Sequence, residues 1–139
     1  MKQHTTEISV STRGRGFIEV TPQVVSWVRE QKITTGLLTV FVRHTSASLI
    51  VQENADSDVL RDMETFFRDL VRDGNPKYHH VLEGPDDMSA HIRSALTQTS
   101  LAVPVMGGIP ALGTWQGIYL YEHRTRGHHR TLALHLLGE

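Results

Sequence analysis

Leu37-Leu38-Thr39-Val40-Phe41-Val42 is a nearly continuous β-prone run, and no other stretch of the chain limits the fold as strongly. A run of this length and composition reads as a central strand buried on both faces, so the remaining elements must supply neighbours and cover for it. They do so without a regular strand–helix–strand alternation. Thr6, Ile8 and Val10 alternate as in a strand, and Arg13-Gly14-Arg15-Gly16 then turns the chain. Thr21-Pro22 reads as an N-cap followed by Pro at the first helical position, with Val24, Trp27 and Val28 on one helical face. After the central strand and a second apolar run, Leu49-Ile50-Val51, the clearest helix carries Val59, Leu60, Met63, Phe66, Phe67, Leu70 and Val71 at three- and four-residue spacing. Gly74-Asn75-Pro76 ends it.

Tyr78 to Glu83 reads as a loop or short strand. Pro85 opens a further helix with Asp86 and Asp87 in its first turn and Met88, Ile92, Ala95 and Leu96 on its apolar side. Leu101, Val103 and Val105 alternate into a strand, and Gly107-Gly108-Ile109-Pro110 turns the chain. Gly113 to Arg124 reads as one long strand, and Thr131 to Leu137 as the last. The order β, α, ββ, α, α, β, ββ predicts an α+β fold: a single domain over residues 1–139 with a mainly antiparallel core and about three helices. At 139 residues such a domain buries about two-thirds of its unfolded surface without staples.

Composition excludes several chemistries. With no cysteine there is no disulfide, thiolate metal site or cysteine nucleophile. Lys and Arg number 14 against 15 Asp and Glu, a net charge of −1, which argues against broad binding to nucleic acid or an anionic membrane. No apolar run approaches the ~20 residues of a membrane span, and the first residues lack a signal peptide's apolar stretch, so a cytoplasmic protein is expected. Nine histidines are the unusual count, making the charge depend on pH around the imidazole range.

Three stretches could carry chemistry. His44-Thr45-Ser46-Ala47-Ser48 places an imidazole and three hydroxyls where a buried strand ends; the hydroxyls suit an anionic ligand or, equally, nearby backbone. His80, Glu83, Asp86, Asp87 and His91 lie close in sequence, and Asp87 and His91, four apart, share a helical face. First-turn aspartates also serve a helix dipole whatever the function. In Gly113-Thr114-Trp115-Gln116-Gly117 the glycines suggest close approach by backbone or ligand, and Trp115 could stack on a heteroaromatic ring or simply fill the core. Arg124, Arg126, His128, His129 and Arg130 form a basic cluster suited to phosphate or to a solvated hairpin tip. No Walker loop, GxGxxG after a strand, GxSxG elbow or HExxH is present.

Together these segments resemble the YjbQ-like family, also called the secondary thiamine-phosphate synthase family. The resemblance is carried by Gly36-Leu37-Leu38, His44 to Leu49, Glu53-Asn54, Asp62-Met63-Glu64, His80, Glu83-Gly84, Asp86-Asp87-Met88, His91-Ile92, Gly113 to Ile118, Glu122-His123-Arg124 and Gly138-Glu139. Ser89 departs from it, standing where relatives often have proline. The resemblance implies a β-sandwich-like α+β core, a homotrimer, and a secondary ability to join hydroxymethylpyrimidine diphosphate to a thiazole phosphate with release of pyrophosphate. Dedicated synthases of that product are TIM barrels of typically ~250 residues, which this chain is too short to form. His44, His80 and His91 match family histidines and are the expected metal or phosphate cluster, with Zn²⁺ or Mg²⁺ as the ion.

On this reading His80, Asp87 and His91 are catalytic, Asp87 orienting His91. Thr45, Ser46, Ser48 and Arg124 bind phosphate oxygens, and Trp115 and Gln116 recognise the pyrimidine. A metal-dependent hydrolase of a small phosphorylated metabolite, with Asp87 or Glu83 as base, and a non-enzymatic trimer that binds metabolite or metal are the competing readings.

Overall fold

The computed structural model describes residues 1–139. In chain order the elements are β1 (Lys2–Ser11), β2 (Gly16–Glu19), α1 (Thr21–Glu30), β3 (Thr35–Val42), β4 (Ala47–Glu53), α2 (Ser57–Leu70), α3 (Asp87–Leu96), β5 (Ser100–Met106), β6 (Ile109–Pro110), β7 (Gln116–Glu122) and β8 (His129–Gly138). They form a five-stranded sheet in the order β1-β8-β3-β5-β6 and a three-stranded sheet in the order β2-β7-β4. Every pairing is antiparallel. The expected α+β fold with a sandwich-like core and three helices is the one observed.

The core lies between the sheets. Leu38, Val40 and Val42 of β3, Leu132, Leu134 and Leu136 of β8, and Val103 and Val105 of β5 face Leu49 of β4 and Ile118 and Leu120 of β7. Val24 and Val28 of α1 close one end. Period-two alternation explains the division, since each strand gives every second side chain to the interior. Burying each such side chain stabilises the fold by roughly 1.5–3 kcal/mol. No helix is long and apolar enough to cross a membrane.

β3 corrects the opening expectation. It is central in its sheet, between β8 and β5, but only one of its faces is covered. Leu37 and Phe41 are 48% and 45% exposed on the other, where Leu137, Met106 and Ile109 join them. The apolar run thus marks an uncovered sheet face that the sequence pattern cannot distinguish from a buried one.

Other boundaries shift for local reasons. The long strand begins at Gln116, because the carboxamide oxygen of Gln116 accepts the Gly113 N–H at 2.7 Å and folds the preceding residues into a turn. α3 begins at Asp87, not Pro85, with Asp86 as N-cap. A short strand, β6, occupies the end of a stretch read as a turn, and β2 begins at Gly16, the last residue of the earlier turn. Gly117 does provide a close approach, but by the protein itself: a Cβ there would lie 2.6 Å from Glu19 Oε2 and 3.2 Å from Asn54 Cβ.

Candidate metal centre

The site is built at the N-terminal end of α3, against the loop before it and the turn between β7 and β8. Asp87 is the first helical residue and His91 lies one turn on, so both project to the same side. His80 arrives from the loop. Its Nε2 lies 2.7 Å from Asp87 Oδ2, and His91 Nε2 lies 3.2 Å from the same oxygen. The three ligand atoms all fall within 4.8 Å of one another. Asp87 is buried, while His80 and His91 are partly open to solvent.

Proton placement makes this convergence informative. His91 Nδ1 lies 2.9 Å from the Thr45 carbonyl oxygen, which can only accept, so Nδ1 carries a hydrogen. In a neutral ring His91 Nε2 then presents a lone pair towards Asp87 Oδ2, itself an acceptor. Two acceptors at that separation need a cation between or beside them: a proton or a metal ion. A backbone carbonyl that fixes the tautomer of one imidazole is the usual support for a metal-ligating histidine. The donor set of two imidazoles and a carboxylate suits Zn²⁺ or another transition metal better than Mg²⁺, which prefers oxygen ligands.

The carboxylate is held in its charged form. Burial raises the pKa of Asp87, but the hydrogen bond with His80 and the positive Arg124 outweigh it and leave it below the ordinary value. Arg124 NH1 lies 2.9 Å from Asp87 Oδ1, its Nε donates to Asp86 Oδ2 at 3.0 Å, and its NH2 donates to the Glu83 carbonyl at 2.9 Å. Asp86 Oδ2 also receives the Thr125 N–H and hydroxyl, at 2.9 and 3.1 Å. Burial opposes its ionisation too, yet these donors hold Asp86 far below the ordinary carboxylate range. Arg124 therefore positions Asp87 and has no free edge for substrate phosphate.

The remaining expected residues fall elsewhere. His44 Nε2 accepts the Thr131 N–H at 2.8 Å, and His44 stands outside the converging set, so the chain assembles two histidines and an aspartate where three histidines were expected. Burial and the nearby Arg130 charge lower its pKa. Ser46 and Ser48 are interior residues: Ser46 Oγ accepts from Arg130 NH2 at 3.0 Å, and Ser48 Oγ bonds His123 Nε2 at 2.7 Å. Thr45 contributes through its carbonyl, not its hydroxyl.

Trp115 and Gln116 lie at the opposite end of β7 from Arg124. Eight residues at about 3.3 Å each put roughly 25 Å between them and Arg124, the residue beside the metal-ligand cluster, too far for one chain to use both on a single small substrate. Gln116 spends its carboxamide oxygen on Gly113 and borders a different cleft, with Gln98, Pro104 and Leu112. The space next to His80 is instead a recess of about 340 Å³ bounded by Asn75, Pro76, Tyr78, Val81 and Pro85. None of these reads as a site residue in the sequence. A tyrosine two residues before His80 in a Pro- and Gly-punctuated loop was the available signal.

Comparison with known proteins gives a consistent result. A family profile described as UPF0047 protein YjbQ-like matches residues 6–139. A UPF0047 protein of Synechocystis sp. is 49% identical over 138 residues, covering 99% of this chain and 94% of that protein. The UPF0047 protein YjbQ of Escherichia coli O157:H7 is 44% identical over 133 residues, covering 95% and 96%. Among solved structures, a YbjQ-like protein of unknown function from Sulfolobus solfataricus P2 superposes with a TM-score of 0.90 at 25% identity, covering 99% of each chain. A hypothetical protein from Aeropyrum pernix K1 gives 0.88 at 33% identity, covering 98% and 99%.

Proposed function

The chain belongs to the YjbQ-like UPF0047 family, and we propose that it is a metal-dependent enzyme acting on a small phosphorylated metabolite, with His80, Asp87 and His91 as the metal ligands. One observation carries the reading: two imidazole nitrogens converge on a single carboxylate oxygen while His91 has already committed its Nδ1 hydrogen to Thr45. Bound there, a divalent cation supplies Lewis-acid stabilisation of negative charge on phosphate oxygens, or acidifies a water.

The protein's own groups do the rest. His80 and His91 offer imidazole nitrogens, Arg124 holds the other oxygen of the ionised Asp87, and Thr45 fixes the His91 ring. The recess beside His80 is the right size for a ring-bearing metabolite, with Tyr78 available to lie against the ring. The reaction that the family resemblance suggests is the pyrimidine–thiazole condensation, as a secondary activity. Hydrolysis of a phosphorylated metabolite is the second reading, favoured by a donor set that suits Zn²⁺ and therefore water activation.

We extend the reading to assembly as a homotrimer, supported by the uncovered apolar face of the five-stranded sheet around Leu37, Phe41 and Leu137. Phe41→Glu should then shift the sedimentation coefficient to that of a monomer. For the chemistry, purified protein scanned for bound metals and given the two thiamine precursors should release pyrophosphate in step with coupled product. Phosphate release without coupling assigns the hydrolase. His91→Ala should lose metal and turnover together; full metal content and activity in that variant would remove the reading.

A further inference from the structure

Arg93 of α3 is the largest side chain wholly enclosed in the protein. Its NH1 donates to Glu64 Oε1 at 2.8 Å, while Nε and NH2 meet no acceptor. The other enclosed or partly enclosed arginines differ. Arg130 gives Nε and NH2 to the two oxygens of Glu122, and NH2 also reaches Ser46. Arg15 gives NH1 and NH2 to Asp73 and its Nε to the His123 carbonyl. Arg124 is paired along its whole fork. Arg93 alone leaves open the Nε–NH2 edge, through which a guanidinium grips a carboxylate or phosphate with two parallel bonds.

A second unpartnered group stands beside it. His123 Nδ1 is buried without a partner, and Arg93 is the strongest charge acting on that ring. Tyr121 connects the two: its hydroxyl donates to Glu64 Oε1 at 2.6 Å, and its ring centroid is 4.2 Å from that of His123. Arg93 Nε, Arg93 NH2 and His123 Nδ1 are the whole set of buried side-chain atoms without a partner in the protein. Native interiors seldom leave such atoms unmatched, and orphans gathered at one place call for an occupant.

We propose that the open Nε–NH2 edge of Arg93, with His123 beside it, is a binding site for a small oxyanion of the phosphate type, and that the Glu64 carboxylate on the adjacent NH1 opposes the anion by its negative charge. The site is separate from the metal ligands. Asp86, Ser89 and Arg93 recur at i, i+3 and i+7 on one face of α3, and Asp87 and His91 occupy the next.

The test is titration calorimetry of chelator-treated protein with inorganic phosphate. Wild type should bind saturably at one site. Arg93→Lys, which keeps the charge and removes the fork, should weaken binding at least tenfold, and Glu64→Gln should tighten it severalfold by removing the neighbouring negative charge. His91→Ala should leave it unchanged. Absence of binding in both wild type and Glu64→Gln overturns the proposal, because water alone then satisfies the edge. Loss of binding in His91→Ala also overturns it and assigns the anion to the metal ligands. Should Arg93→Lys fail to fold, Glu64→Gln still decides: unchanged or weaker binding counts against the site.

Discussion

Glu122 and Asp87 are both buried carboxylates held by arginine, yet their surroundings are opposite in kind. Every bond to Glu122 comes from an obligate or ready donor. Thr12 and Arg130 Nε reach Oε1 at 2.6 and 2.8 Å, while Arg130 NH2 and the Arg124 N–H reach Oε2. Asp87 has one oxygen on Arg124, but the other faces two imidazole nitrogens, at least one of which presents a lone pair when neutral. Both carboxylates are buried and both pair with an arginine. What separates a closed structural pair from an open site is whether the donors match the acceptors.

The largest effect should come from breaking the closed pair. Glu122→Gln leaves the Arg130 charge enclosed without compensation, which typically costs 3–5 kcal/mol. Denaturant unfolding should show a loss of that size with an unchanged denaturant slope. A loss below about 1 kcal/mol would mean that Arg130 finds another partner and that the pair is not closed.

His123 ties the two regions by pH. Burial, then the charges of Arg93, Arg15 and Arg130, lower its pKa to about 3, so the ring is neutral in the folded protein at neutral pH. An unfolded histidine takes up its proton near 6.5, and between those values the unfolded chain binds more protons than the folded one. The contribution is complete above pH 6.5 and is lost progressively as pH falls towards 3. His123→Gln should flatten the stability profile across that window, as followed by unfolding at pH 7, 5.5 and 4. A parallel profile would place the pH dependence in other groups.

The open site should be more sensitive in affinity than in stability. Arg124→Met removes the positioning group from Asp87 without touching a metal ligand, and losses of 10–100-fold in metal affinity are typical of such changes. Competition with a metal-sensitive dye measures it. Unchanged affinity would show that Asp87 needs no support and would weaken the contrast with Glu122.

Much of the architecture was legible because it rests on short-range patterns. Alternation located β1 and β5, the three- and four-residue spacing located α2, and Asp87 with His91 followed from one helical turn. The failures have a common cause, since each depends on what lies across space. Nothing local tells a doubly buried β3 from one with an open face. Ser46 and Ser48 look in sequence like hydroxyls for a ligand because their partners, Arg130 and His123, are 84 and 75 residues away. Arg124 resembles a phosphate binder in sequence for the same reason, its carboxylate partners lying about 40 residues upstream. Arg93 carries no signal in sequence, because a single arginine in an amphipathic helix looks solvated.

Trp115 provides the smallest and most discriminating effect. It is 63% exposed on the turn before β7 and lies at the far end of that strand from Arg124. Exposed substitutions away from caps and paired groups usually change stability by no more than about 0.5 kcal/mol. Trp115→Ala should therefore unfold like wild type and bind metal with the same affinity, which the dye competition used for Arg124→Met resolves. If the metal-bound protein turns over its substrate with an unaltered Michaelis constant, ring recognition belongs to the Tyr78 recess beside His80. A raised Michaelis constant in Trp115→Ala, with metal affinity intact, would require the β7 end of one subunit to meet the α3 end of another, and the open site would then be completed by assembly.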